Sequence, residues 1–140
     1  MDGNDRFVSA RILWVRRWSP RLLSFRIERE PGFRFVPGQF ARLGCVSPDE
    51  VPVRRAYSMA SASWDDYLEF YSILVPGGAF TSQLVGLKVG DSLMIERKPN
   101  GFFTTNRFAD GRDLWMLATG TGLAPYLSIL QDETTWQRFE

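Results

Sequence analysis

Apolar and polar residues alternate over short stretches along most of the chain, the period of strands buried on one face. Leu23, Phe25 and Ile27 alternate with Ser24, Arg26 and Glu28, and Pro31-Gly32 punctuates the run. A mixed apolar and basic stretch over residues 6–15 predicts a strand before it. Pro37-Gly38-Gln39-Phe40 predicts a tight turn into a strand over 40–46. Val51-Pro52-Val53 then leads into extended chain over 54–58, with Arg55, Tyr57 and Met59 on one face and Arg54, Ala56 and Ser58 on the other. After a polar loop over 61–66, the nearly continuous apolar run 68–75 predicts a strand covered on both faces. Pro76-Gly77-Gly78 ends it. A short helix is expected from Thr81 to about Val85, with Thr81 as N-cap and Leu84 and Val85 on the buried side. Residues 87–91 read as a turn joining strands, and 92–96 as the strand that follows.

The C-terminal segment changes character. Leu114-Trp115-Met116-Leu117-Ala118 is a short apolar run, Thr119-Gly120-Thr121-Gly122-Leu123-Ala124-Pro125 a glycine turn, and residues 126–131 a helical stretch. Strand, glycine turn and helix in that order predict the opening βα unit of a dinucleotide-binding domain. Pro125 stands where the full G-x-G-x-x-G pattern has its last glycine, and proline suits the first turn of a helix. A parallel strand needs neighbours, so 114–118 is expected to leave an exposed apolar edge.

Composition narrows the classes. With 44% hydrophobic and 14% aromatic residues, the 140-residue chain can bury a globular core. A net charge of +1 argues against a strongly basic nucleic-acid binder. The single cysteine, Cys45, precludes an internal disulfide or a cluster held by several thiolates, and reads as a small apolar strand residue. The absence of histidine removes imidazole metal ligands and every histidine-based acid, base or nucleophile scheme, so no metal site is expected. Met1-Asp2-Gly3-Asn4-Asp5 is neither basic nor followed by an apolar run, and no apolar stretch reaches bilayer-spanning length. A cytoplasmic protein without membrane or nucleic-acid partners is the expectation.

The candidate chemistry centres on Arg55-Ala56-Tyr57-Ser58. A guanidinium is a rigid fork of donors for phosphate oxygens, a tyrosine ring is a flat surface for a planar ligand, and a small hydroxyl can serve a ring nitrogen. Together they describe a flavin nucleotide site. The four residues resemble the R-x-Y-S signature of the ferredoxin–NADP reductase family, the bacterial enzymes most closely. Two further segments resemble the same family in the same order. Gly78-Ala79-Phe80-Thr81 is similar to its G-x-x-[S/T] segment, and 119–125 to the T-G-T-G-x-x-P turn that opens its NADP domain. Pro37-Gly38-Gln39-Phe40 is similar to its P-G-Q-aromatic step.

The resemblance implies a mainly β fold. An antiparallel β-barrel FAD-binding domain with one short helix would occupy 1–112, followed over 113–140 by the first strand and helix of an incomplete α/β NADP-binding domain. It implies that Arg55 and Ala56 belong to the cofactor strand, with Arg55 on the FAD pyrophosphate, Tyr57 stacked on the isoalloxazine and Ser58 beside N5. Tyr57 and Ser58 are thus the catalytic candidates. Gly78, Ala79, Phe80 and Thr81 would meet the pyrophosphate, where a helix N-terminus also favours phosphate. Tyr71, Ser72, Ile73 and Leu74 would line the adenosine and flavin side. Thr121 would approach the flavin, while Gly120 and Gly122 before Pro125 would admit the pyridine nucleotide.

The implied activity is electron transfer between NADPH and ferredoxin or flavodoxin through FAD, and the chain reads as the N-terminal portion of such a reductase, inactive or poorly active alone. Arg97 and Lys98 are either a solvated loop or a surface for an acidic electron-transfer protein. Three other readings stand beside this one. The chain could be a reductase component of another flavin-dependent system, which often carries an Fe–S domain for which the cysteines are lacking here, or a non-catalytic flavin-binding module. The third is an all-β nucleic-acid binder in which Arg55 and Tyr57 meet phosphate and base, against the near-neutral charge.

Overall fold

The computed structural model describes residues 6–46 and 49–139. Met1-Asp2-Gly3-Asn4-Asp5, read above for a targeting signal, and Glu140 at the end of the second predicted domain lie outside the described residues. Among the described residues six strands form one antiparallel sheet: β1 (Phe7–Ser19), β2 (Leu22–Glu28), β3 (Phe40–Val46), β4 (Pro52–Ser58), β5 (Tyr67–Ile73) and β6 (Ser92–Glu96), in the spatial order β4-β3-β6-β1-β2-β5. The strand β1 runs past its predicted end because it serves two neighbours. Residues 7–11 pair with β6, and from Ile12 onward the strand pairs with β2. Register shifts between Ile12 and Trp14 and between Arg17 and Ser19 bend it from one wall to the other.

The alternation seen in the sequence sets the core. Leu23, Phe25 and Ile27 of β2 are fully buried and lie across from Ser72, Phe70 and Leu68 of β5. Ile12 and Leu43 complete the inner wall, with Phe80 and Leu84 plugging it from the segment after β5. The run 68–75 is not covered on both faces: Leu68, Phe70 and Ser72 are buried, whereas Tyr67, Glu69 and Tyr71 are half-buried and Ile73 is exposed. The strand ends at Ile73, and Leu74 turns into the core with its amide on the Arg21 carbonyl, 2.7 Å away.

The two edge strands, β4 and β5, curl toward one another without a hydrogen-bonded ladder. At one end they are joined by Ala60 N–H donating to the Glu69 carbonyl (2.8 Å). Farther along, the Tyr57 and Ser72 hydroxyls meet at 2.8 Å. The barrel thus closes with a seam that opens toward Arg55 and Ile73.

The short helix α1 (Thr81–Leu84) is a single turn. Phe80, not Thr81, occupies its N-cap, without a side-chain cap bond. The Thr81 hydroxyl is used otherwise: it accepts from Val75 N–H (3.0 Å) and donates to the Val75 carbonyl (2.9 Å), which closes the Pro76-Gly77-Gly78 turn. Leu84 is buried as expected, but Val85, beyond the last helical residue, is exposed.

Residues 114–118 form no strand, since no neighbouring strand is present among the described residues to pair with them. The expected apolar edge is there: Trp115 is 84% and Leu117 82% exposed. A tight turn at Gly120–Gly122 leads into α2 (Leu123–Leu130), which is followed by an unpredicted helix α3 (Glu133–Arg138). Its start signal was present in the sequence, for Asp132 caps it by accepting from Thr134 N–H at 3.1 Å. These helices lie against the barrel. Gln131 Nε2 donates to the Ala60 carbonyl (3.1 Å), and the Arg138 guanidinium binds the carbonyls of Thr105 and Phe108 and the Asp110 carboxylate. Buried Ile129 faces Gly38, where the chain takes φ +102° in the turn before β3.

Candidate functional site

A cleft of about 680 Å³ opens over the seam. Three sequence-distant segments converge there: Arg55, Ala56, Tyr57 and Ser58 from β4; Gly78, Ala79, Phe80 and Thr81 from the turn and α1; Thr121, Gly122 and Pro125 from the glycine turn and α2. The strand β5 adds Tyr71, Ser72 and Ile73. Two predicted residues lie off the lining. Leu74 is buried in the core, and Gly120 (φ +54°) is pressed on Ile73, whose Cδ1 would stand 3.2 Å from an added Cβ. Two lining residues escaped the sequence reading, Val75 and Ala124. Both are small or medium apolar residues beside a glycine turn, and the turns themselves were the available signal.

Arg55 is exposed at the wide end of the seam. Its Nη1 donates to the Arg54 carbonyl (2.8 Å), and among the described residues it has no carboxylate partner. The rest of its donor fork is available to an anion. Opposite, the turn pairs the amides of Gly78 and Ser82 internally and leaves those of Ala79, Phe80 and Thr81 without an acceptor among the described residues. Gly78 makes this turn close-fitting, because an added Cβ would lie 2.6 Å from Thr81 Oγ1 and 3.1 Å from the Val75 carbonyl oxygen. A cation facing free amides suits a phosphate or pyrophosphate. α1, at a single turn, contributes little macrodipole to that end.

Tyr57 forms the floor. Its ring is half-buried, 5.5 Å from the Phe80 ring and edge-on to Phe25 and Phe70. Burial pushes the phenol pKa above its usual value near 10. The folded chain therefore holds this proton to higher pH than the unfolded chain does. The stability so contributed is complete below about pH 10 and is lost as pH rises through the folded value. Stability measured by denaturant at stepped pH is expected to fall less steeply above about pH 10 in Tyr57→Phe than in the parent. Equal slopes would show that Tyr57 is not the buried phenol responsible.

Ser58 ends β4, half-buried beside the ring. Cys45 lies half-buried in β3, where burial raises its thiol pKa and leaves it a packing residue. Of the basic loop, Arg97 is paired with Glu30. Among the described residues, no helix is long and apolar enough to cross a membrane.

The cleft's donor set thus suits a ligand with both phosphates and a planar ring. Comparison with known proteins agrees. Residues 17–104 match a family model described as an oxidoreductase FAD-binding domain. The chain is 47% identical over 130 residues to a ferredoxin–NADP reductase of Pseudomonas aeruginosa, covering 93% of this chain and 50% of that protein. It is 42% identical to a flavodoxin/ferredoxin–NADP reductase of Rhodobacter capsulatus, covering 90% of this chain and 47% of that one. Among solved structures, a ferredoxin NADP+ reductase from Neisseria gonorrhoeae with bound FAD and NADP superposes with a TM-score of 0.91 at 40% identity, over 96% of this chain and 54% of that one. The chain spans about half the length of the curated relatives it matches.

Proposed function

Because the chain belongs to the oxidoreductase FAD-binding domain family, we propose that it is the FAD-binding portion of a ferredoxin–NADP reductase. It would carry electrons between NADP(H) and ferredoxin or flavodoxin. The observation that supports this best is the convergence of the three motif segments on one cleft. In this reading residues 1–112 are the FAD-binding barrel and 113–140 begin the NADP-binding unit.

Bound FAD would supply exchange between hydride transfer at a nicotinamide and single-electron transfer at a protein carrier. The protein's part is binding and orientation. Arg55 holds the negative charge of the pyrophosphate against the free amides of Ala79 and Phe80. Tyr57 presents its ring to the isoalloxazine, and Phe80 backs that ring from within the barrel. Ser58 offers a hydroxyl at the reacting edge. Thr121 and Gly122 bring the second unit's glycine turn to the same cleft. On the partner side, the Glu30 pairing leaves Lys98 as the cation of its loop for an acidic carrier.

The test is the visible spectrum of the purified chain before and after addition of FAD, with NADPH added last. A flavin band that stays with the protein through gel filtration is expected. Residues 114–118 have no strand partner among the described residues, so reduction by NADPH in these 140 residues alone is expected to be slow or absent. A folded chain that holds no flavin would overturn the reading.

A further inference from the structure

Ser72 lines the cleft, yet its hydroxyl is not free to serve a ligand. The residue is 1% exposed, and its oxygen meets the Tyr57 hydroxyl at 2.8 Å and the Ile73 carbonyl at 3.2 Å. A serine has one proton. With that proton on the Ile73 carbonyl, Tyr57 donates to Ser72, and all three oxygens are satisfied in a single relay running from β4 to β5. The location gives this relay its importance. These are the sheet's two edge strands, and no ladder joins them here. Past the Ala60–Glu69 bond, the two hydroxyls are what bridges the seam beneath the cleft among the described residues.

A tyrosine ring turns about two side-chain torsions, and neighbouring rings restrict it by shape alone. Phe80 lies tilted at 42° to Tyr57, while Phe25 and Phe70 meet it at 67° and 82°. Those contacts limit the ring's tilt, and the hydroxyl anchored on β5 fixes how far it reaches across the seam. On the reading of the cleft as an FAD site, we propose that Ser72 is a positioning residue. It acts through Tyr57, holding the ring in the plane that receives the isoalloxazine, and it does not itself contact the cofactor.

The test is a double-mutant cycle on FAD binding, read by quenching of flavin fluorescence and by the visible spectrum of the bound flavin. Ser72→Ala and Tyr57→Phe each remove the bond and keep the ring. Each is expected to weaken FAD binding about tenfold, the scale of one buried hydrogen bond, and to shift the flavin band in the same direction. The double variant should be no weaker than either single one, because both delete the same bond. Ser72→Thr, which keeps a hydroxyl, should restore affinity and spectrum. If Ser72→Ala does not fold, Ser72→Cys, which replaces the hydroxyl by a weak hydrogen-bonding thiol of similar shape, takes its place in the cycle with Tyr57→Phe.

A purely structural bond would lower the melting temperature and leave affinity and band position as in the parent. That result overturns the proposal, as does a double variant whose loss is the product of the two single losses. A parent chain that binds no FAD overturns the cofactor reading and the proposal with it.

Discussion

Gly38→Ala is expected to cost the chain most of its stability. Gly38 has φ +102°, in the region that side-chain-bearing residues avoid, and it is buried. An added Cβ would stand 1.8 Å from the Phe103 carbonyl oxygen and 2.8 Å from its carbon. Those atoms are backbone, so no side chain can swing aside to make room. The backbone strain and the overlap together come to roughly 3–6 kcal/mol, against about 5–15 kcal/mol for a typical domain. Denaturant unfolding of Gly38→Ala beside Gly32→Ala provides the control, because Gly32 has open space where a Cβ would go. Gly32→Ala should stay within about 0.5 kcal/mol of the parent. A Gly38→Ala chain with the parent's midpoint would mean that the turn and residue 103 do not approach as described.

Arg55→Ala is expected to do the opposite: leave the fold intact and remove the ligand. Arg55 is exposed, and the one side-chain bond it makes among the described residues, to its neighbour's carbonyl, holds nothing together. Its stability should match the parent's within about 0.5 kcal/mol. Charge-assisted hydrogen bonds contribute about 1.5–3 kcal/mol each. Losing a two-pronged grip on a pyrophosphate should therefore weaken FAD binding by a factor on the order of 100 or more. Arg55→Lys should recover part of that, because an ammonium keeps the charge and loses the fork. Titration of the folded variant with FAD decides the matter, and unchanged affinity would remove Arg55 from the site.

The sequence announced the strands through alternation wherever one face of a strand was buried, as with Leu23, Phe25 and Ile27. It misled at 68–75 because Tyr71, Ile73 and Val75 are apolar residues on the outer face, and periodicity cannot tell an aromatic at a cleft from one in a core. The sequence could single out the motif residues because Arg, Tyr and Ser at alternate or adjacent strand positions suit phosphate and a planar ring, and the fold gathers them at one cleft. Leu74 was misplaced for a local reason: the strand ends one residue before it and the turn reverses its direction. Thr81 looked like a cap because Thr before a helical run usually is one. Its hydroxyl instead reaches back six residues to Val75 and closes the preceding turn, a use that the helix-start pattern does not encode. Nor does the local pattern supply a partner for 114–118, whose strand propensity has nothing to pair with among the described residues. The seam, and with it the Tyr57–Ser72 bond, could not be read at all, since it depends on which two strands end the sheet.

The doubled duty of β1 has a consequence in time. Its second half pairs with β2, the next strand to leave the ribosome, through the short reversal between Ser19 and Leu22. Its first half must wait for β6, with Phe7 finding its place only opposite Glu96. Closing a loop of that length is slow compared with zipping a hairpin. During synthesis the bend at Ile12–Trp14 thus divides one strand into an early and a late half, and the late half is an open edge until most of the barrel has been made.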